Sequence, residues 1–313
     1  MINIKFINHV GDKLGIARKD LIEKDILLQM LLNELVKNKG FKENFAFKGG
    51  TCLIKCYFGY YRFSEDMDFT YLNQEEFIRK PKNKLRGLMS DKINKLGGLI
   101  EAVSKKLDLD FKMEKENERY FQFGGSNAFV TFKIWYNSNE LEKETFVKIQ
   151  VNHIEKLIYP IKELNIGFIV PRNLEKDFYF MASEDAETLL KPVKIKAYDL
   201  KEILIEKVRA ILTRRGIKTR DFIDVYFIIK FLKKDISDYK KEIIEKTLFM
   251  LKYEKYLINL LKKQDSFKSL KLEDKENVLL KPINKKDFDN FMRDFCPFLE
   301  NILERIKISL KKE

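Results

Sequence analysis

The chain predicts an α+β fold, a mixed sheet with flanking helices followed by an all-helical half. Two patterns carry this expectation. Up to about residue 153, segments of helical period are interleaved with segments that alternate every second residue, whereas from Tyr198 onward the period is helical only. With 313 residues, 45% of them hydrophobic, the chain can build one large or two modest cores. We therefore expect an α+β domain over 1–196 and a helical domain over 197–313, the second completing the cleft of the first.

Element by element, residues 17–38 place Leu21, Ile26, Leu28, Met30, Leu31 and Leu35 at helical intervals, with Gly40 as the expected stop. Phe45–Phe47 reads as a short buried strand, and Cys52–Phe58 as a helix ending at Gly59. Phe63–Tyr71 reads as a strand. Residues 82–106 form a basic helical segment expected to be interrupted at Gly97-Gly98. Strands are expected at Leu107–Glu114, Tyr120–Phe123, Ala128–Tyr136 and Thr145–His153, with Asn137-Ser138-Asn139 as a turn. Helices then cover 199–214, 220–233, 238–263 and 286–310.

The most informative stretch lies between Lys48 and Leu72. On the strand Phe63–Tyr71, Phe63, Met67 and Phe69 share one side and Ser64, Asp66 and Asp68 the other, with Glu65 the one charged residue on the apolar side. Carboxylates spaced i, i+2 on a strand are roughly 6–7 Å apart, given a rise of about 3.3 Å per residue. That spacing lets them bracket hard cations about 3.5–4 Å apart, as in two-metal phosphoryl-transfer sites. Upstream, Lys48-Gly49-Gly50-Thr51 joins the short apolar run to a helical segment. Glycines at such a turn let backbone N–H groups approach phosphate oxygens without a Cβ in the way. The stretch thus pairs a phosphate cradle with a candidate metal-binding strand, flanked by Arg62 and Ser64.

These residues resemble the nucleotidyltransferases of the polymerase β type. The ordered set KGGT, RFSEDMDF, EKVRAI and RDFIDVYF is similar to the AbiEii/MenT-type toxin branch, over roughly residues 40 to 230. The resemblance implies a polymerase β-like core and transfer of a nucleoside monophosphate from an NTP. It also implies that Asp66 and Asp68 hold Mg²⁺ or Mn²⁺, and that Lys48, Gly49, Gly50, Thr51, Ser64 and Arg62 bind the nucleotide.

By periodicity Lys207 lies near the edge of the apolar stripe of the helix DLKEILIEKVRAIL, where a solvated lysine is the ordinary reading. The resemblance instead makes Lys207 the lysine of the EK-x-x-A helix, assisting at the triphosphate. Asp221, near the N-terminus of a helix capped by Thr219 after a stop at Gly216, reads by default as a surface acid favoured by the helix dipole. The resemblance carries a catalytic role to Asp221 first and to Asp224, one turn on, second. Arg214, Arg215 and Arg220 form a basic cluster that either grips RNA phosphates or is an ordinary solvated turn. One departure stands out. Polymerase β-type enzymes take a third carboxylate from a later strand, but Val147–Asn152 offers Lys148, Gln150 and Asn152 on one face. Gln150 can coordinate only through a neutral amide oxygen.

Composition bounds the rest. Sixty-one Lys and Arg against 48 Asp and Glu give a net charge of +13, which favours a polyanionic partner. A general Lys-rich bias also raises the charge without any partner. Three cysteines, Cys52, Cys56 and Cys296, without a CxxC pair argue against a disulfide framework or a zinc site, and Cys52 and Cys56 read as small core residues. Only two histidines, His9 and His153, make His-based catalysis an unpromising reading. No signal-peptide pattern or bilayer-length apolar run is seen, so a cytoplasmic protein is expected. By the family's precedent the expected acceptor is RNA, most specifically the tRNA 3′ end, with a cognate antitoxin as partner. Two alternatives stay open: a protein or small-molecule acceptor, and a catalytically silent nucleotide-binding module.

Overall fold

The structure is a computed structural model that describes residues 4–77, 80–124, 128–263, 266–268, 270 and 279–311. In chain order its elements are α1 (Ile4–Leu14), α2 (Lys19–Lys37), α3 (Lys39–Asn44), β1 (Phe45–Lys48), α4 (Gly49–Cys52, continuing as a π-helical stretch Leu53–Phe58) and β2 (Asp66–Tyr71). They continue with α5 (Lys82–Lys106), β3 (Phe121–Gly124), β4 (Phe129–Ser138), β5 (Lys143–Asn152), β6 (Lys162–Asn165), α6 (Glu175–Met181), α7 (Ser183–Leu189) and β7 (Lys194–Ala197). The helices α8 (Leu200–Thr213), α9 (Thr219–Leu232), α10 (Lys240–Leu251), α11 (Glu254–Leu261) and α12 (Lys285–Leu310) complete the described chain.

The chain forms two compact units, one of 1–155 with 161–198 and the other of 156–160 with 199–313. Among the described residues all seven strands lie in the first unit, as one mixed sheet of order β3-β4-β5-β2-β1-β7-β6. Two pairings position the site. β1 runs antiparallel to β2 with Lys48 opposite Asp68, and β5 runs parallel to β2 with Lys148 opposite Asp66 and Gln150 opposite Asp68. Because side chains alternate across a strand, one row of β2 is dry and the other open. Met67 and Phe69 are fully buried, as are Ile149 and Val151 beside them, whereas Asp66 and Asp68 are half-buried. Phe47 stacks on Phe69 at 5.2 Å and Phe41 meets the same ring edge-on at 5.1 Å. Helix α5 packs on β4 and against α2, whose Leu28, Leu31 and Leu35 are wholly buried.

Several expected boundaries move. Asn38, not Gly40, ends α2, because its side chain accepts the Phe41 amide and starts α3 at once. β2 begins at Asp66 rather than Phe63, since its neighbours supply ladder partners only up to Asp68 on β1 and Asp66 on β5. Helix α5 runs unbroken through Gly97-Gly98. Gly97 serves packing there, as a Cβ would sit 2.1 Å from the Met113 sulfur. Leu107–Glu114 is not a strand: Asp110 makes a single bridge to Trp135, while its carboxylate is held by Arg119 and Tyr120. The turn after β4 falls beyond Ser138, whose hydroxyl donates to the buried Glu23. Thr219 lies inside α9 and Lys218 caps it without a side-chain bond. The helix expected over 238–263 breaks at Lys252-Tyr253, where Tyr253 is extended.

In the second unit α8 packs on α9, α10 and α11. Its aromatic core joins Phe222 to Phe295 at 5.8 Å and Tyr226 to Phe288 at 5.3 Å. A wholly buried ion pair, Lys246 to Glu202 at 2.7 Å, is completed by the amides of Ile158 and Tyr159 donating to Glu202. Pairing the two charges and hydrogen-bonding the carboxylate is what makes such burial tolerable. Among the described residues no helix is long and apolar enough to cross a membrane.

Candidate active site

In the first unit the residues of the central stretch converge on the open row of β2. Gly49 has φ +77°, and a Cβ there would lie 2.3 Å from Asp68 Oδ2, so the turn leaving β1 presses its backbone onto this carboxylate. At Gly50 a Cβ would meet the Arg62 guanidinium at 2.5 Å. Only glycines allow this approach. Thr51 is buried. Its hydroxyl donates to the Asp66 carbonyl and lies 2.8 Å from Ser64 Oγ, tying the turn to β2. Arg62 is buried too, donating to the Phe63 carbonyl at 2.7 Å and lying over the Tyr61 ring. Gly49, Gly50, Thr51, Ser64, Arg62, Asp66 and Asp68 are thus brought together.

Lys48 is placed differently from a solvent-facing phosphate ligand. Its ammonium pairs with the buried Glu155 at 3.2 Å and lies 5.4 Å from the centre of the Tyr198 ring, with 8% of the side chain exposed. Asn152 donates to the same Glu155 oxygen at 3.1 Å. Glu155 carried no motif, and only the closeness of the ends of β1 and β5 reveals its part. Gln150 stands opposite Asp68, and its amide nitrogen lies 3.4 Å from Thr131 Oγ1. Lys148 stands opposite Asp66, with Nζ 3.8 Å from Oδ1. Burial, then hydrogen bonding to Cys56, pushes the Cys52 thiol up, so it stays protonated as a core residue.

Two half-buried carboxylates on one face are hard oxygen donors suited to a divalent cation. Among the described residues no group of three or more His, Cys, Asp or Glu is arranged to hold a metal. Asp66 and Asp68 could supply two oxygen ligands to such a cation, with Lys148 competing for Asp66.

In the second unit, Lys207, Asp221 and Asp224 form one ion-pair cluster. Lys207 Nζ is 2.7 Å from Asp224 Oδ2 and 3.0 Å from Asp221 Oδ1, and Arg214 also binds Asp221. Helical spacing brings both aspartates to one side of α9. The ordinary readings of Lys207 as solvated and Asp221 as a surface acid do not hold: 12% of the lysine side chain and 2% of the Asp221 side chain are exposed. Periodicity missed this because the second face of α9 is buried against α8. Burial alone would push the Asp221 carboxyl up, but the charges of Lys207 and Arg214 outweigh it and hold it below its ordinary value. Arg214 is engaged inward, so of the expected basic cluster Arg215 is exposed and Arg220 half-exposed.

A family model described as nucleotidyl transferase AbiEii toxin, type IV toxin–antitoxin system, matches residues 31–307. No curated protein matches the chain. Among solved structures, JHP933 from Helicobacter pylori is 15% identical with a TM-score of 0.41, covering 93% of this chain and 97% of that one. A second Helicobacter pylori protein, provisionally assigned as a nucleotidyltransferase, is 15% identical with a TM-score of 0.39, covering 95% of this chain and 98% of that one.

Proposed function

The chain belongs to the AbiEii nucleotidyl transferase toxin family of type IV toxin–antitoxin systems, and from that premise we propose that it transfers a nucleoside monophosphate from an NTP to the 3′ end of an RNA, most specifically a tRNA. One observation carries the reading: the Gly49-Gly50 turn at the end of β1 is pressed onto Asp68, on the half-buried row of β2 that also carries Asp66. In this proposal Asp66 and Asp68 hold Mg²⁺ or Mn²⁺, which when bound neutralises phosphate charge and activates the acceptor oxygen. Gly49, Gly50 and Thr51 orient the phosphates, with Ser64 and Arg62 bracing the turn. Lys148 offsets the charge of Asp66. In the second unit Lys207 is held by Asp221 and Asp224, and the family resemblance gives this cluster a catalytic role. The net charge of +13 supports a polyanionic acceptor. Blocking the 3′ end of tRNA would stop aminoacylation and growth, which fits a toxin with a cognate antitoxin.

The test is incubation with each labelled NTP, Mg²⁺ or Mn²⁺ and total RNA, resolved on a denaturing gel. We expect label in a tRNA-sized band, absent with Asp66→Ala or Asp68→Ala although both variants fold. Label on protein or in a small molecule would overturn the RNA acceptor. Undiminished transfer by either variant would overturn the site, and no transfer to any acceptor would overturn the activity.

A further inference from the structure

The sheet order places the two aspartates of β2 between unlike neighbours. On one side is β1, which ends in the Gly49-Gly50 turn, and on the other are β5 and then β4. In-line displacement at phosphorus puts the leaving group and the attacking oxygen on opposite sides of the reacting centre. If the turn on the β1 side takes the phosphates that leave, the β5–β4 side is the one open to the acceptor. Strand register fixes what that side presents. Asp66 stands opposite Lys148 on β5, which stands opposite Lys133 on β4. Directly opposed residues share a face of the sheet, and so do residues two apart on one strand. The face of Asp66 and Asp68 therefore also carries Phe146 and Lys148 of β5 with Lys133 and Trp135 of β4.

Burial and ring contacts agree with that register. Phe132, Ile134, Val147 and Ile149, on the other face, are buried, whereas Lys133, Trp135, Phe146 and Lys148 are each half-buried. The directly opposed Trp135 and Phe146 have ring centres 4.6 Å apart, and Lys148 Nζ lies 5.6 Å from the centre of the Phe146 ring. A third cation, Arg119, lies 4.3 Å from the centre of the Trp135 ring, but Glu144 at 2.5 Å and Asp110 at 2.7 Å take up its charge. The two lysines keep more freedom. Lys133 uses one of its three N–H donors, on the Glu118 carbonyl at 3.0 Å. Lys148 has 35% of its side chain exposed and only the 3.8 Å contact with Asp66. Two strand spacings put Lys133 about 9–10 Å from Asp66, and two residues along β5 put Phe146 about 6–7 Å from Lys148. Cations and aromatic rings thus share one half-open face that starts at the carboxylates.

We propose that this face holds the 3′-terminal nucleotides of a single-stranded RNA acceptor, with backbone phosphates on Lys148 and Lys133 and a base stacked on the Phe146–Trp135 pair. A cationic track beside aromatic rings is how proteins hold single strands without reading sequence. The inference rests on the reading of an RNA acceptor above, and specifies where on the molecule that acceptor lies.

The test uses the full chain and a short single-stranded RNA labelled with fluorescein at its 5′ end, with binding measured by anisotropy across a salt series. NTP binding is followed separately with a fluorescent NTP analogue. Lys133→Gln should weaken RNA binding about five-fold at about 0.1 M salt and lower the log–log salt slope by about 0.7, the share of one phosphate contact. Phe146→Leu keeps the apolar volume and removes the ring, so it should weaken RNA binding about ten-fold with the slope unchanged. Lys133→Arg and Phe146→Tyr should keep most of the affinity, and none of the four should alter NTP binding. Circular-dichroism melts check folding, and if Phe146→Leu melts early, Lys133→Gln decides alone. RNA binding by the wild type that Lys133→Gln retains at the same affinity and slope overturns this placement and leaves the RNA acceptor standing. Loss of NTP binding with RNA binding intact likewise overturns it, assigning the face to the nucleotide. Failure of the wild type to bind RNA overturns both readings.

Discussion

Asp66 on β2 and Lys148 on β5 stand directly opposite each other across a parallel strand pair, with 3.8 Å between the lysine Nζ and a carboxylate oxygen. Both side chains are about one-third exposed, so their attraction is screened. The pair nevertheless puts a fixed positive charge beside the carboxylates that the proposed function assigns to a metal ion.

Removing that charge should make metal binding tighter. Exposed ion pairs are worth about 0.2–1 kcal/mol, so Lys148→Met should lower the dissociation constant for Mn²⁺ by about 1.4-fold to 5-fold. Lys148→Glu, which adds a third carboxylate, should lower it further. Titration followed by the electron paramagnetic resonance signal of free Mn²⁺ measures both. Weaker binding in Lys148→Met would show that the lysine positions Asp66 rather than competing for it.

Gly49→Ala should impair transfer far more than it impairs folding. The left-handed φ of +77° costs an L-residue about 1–2 kcal/mol, and the added Cβ would lie 2.3 Å from Asp68 Oδ2, forcing that carboxylate aside. Misplacement of a reacting centre by about 1 Å can cost roughly 100-fold in rate. A variant with an unchanged single-turnover rate would mean that Asp68 need not keep its observed position.

Lys207→Met should both inactivate and destabilise. It leaves Asp221 and Asp224, with 2% and 0% of their side chains exposed, short of a cation. Breaking a buried pair from one side costs about 3–5 kcal/mol, whereas the exposed Lys201→Ala should change stability by less than about 0.5 kcal/mol. Adding Asp224→Asn to Lys207→Met should recover part of the stability but none of the activity, because Asp221 still has Arg214. Urea melts and transfer assays on the three variants decide it. Small, equal effects of Lys207→Met and Lys201→Ala would show that the buried cluster around Lys207 carries neither stability nor activity.

His153 makes folding sensitive to mild acid. Its ring is buried against Tyr71, and burial lowers its pKa from 6.5 to about 4. The folded state therefore prefers the neutral ring. The contribution is fully present above the unfolded value of 6.5 and is lost as pH falls toward 4, on the order of 3 kcal/mol in all. The urea midpoint should drop between pH 7 and pH 5 in the wild type and drop less in His153→Phe. Parallel pH profiles for the two proteins would assign the acid sensitivity to other groups.

Much of this molecule was legible along the chain. The alternation through Met67-Asp68-Phe69 separated a buried row from an open one, because a strand's side-chain period is two whatever it pairs with. Helix α12 and the helix α8 could be read from their apolar stripes, and the burial of Cys52 from its place in an apolar helix. Helix ends were less legible: Asn38 could cap α3 only because a new helix started there, and Gly97 was kept for Met113, a neighbour reached through the fold.

What the sequence by itself determined was therefore the α+β order of the elements, the Gly-Gly turn, and the two aspartates sharing one face of a strand. These follow from local backbone geometry and periodicity. Only the tertiary structure decided that Lys48 turns to Glu155, that Lys148 opposes Asp66, and that Lys207 is held between Asp221 and Asp224. Each of those pairs joins residues from different elements, and strand register or helix packing, not chain spacing, sets which charges meet. In a low-dielectric interior every such charge must find its counterion, so the choice of partner belongs to the fold as a whole.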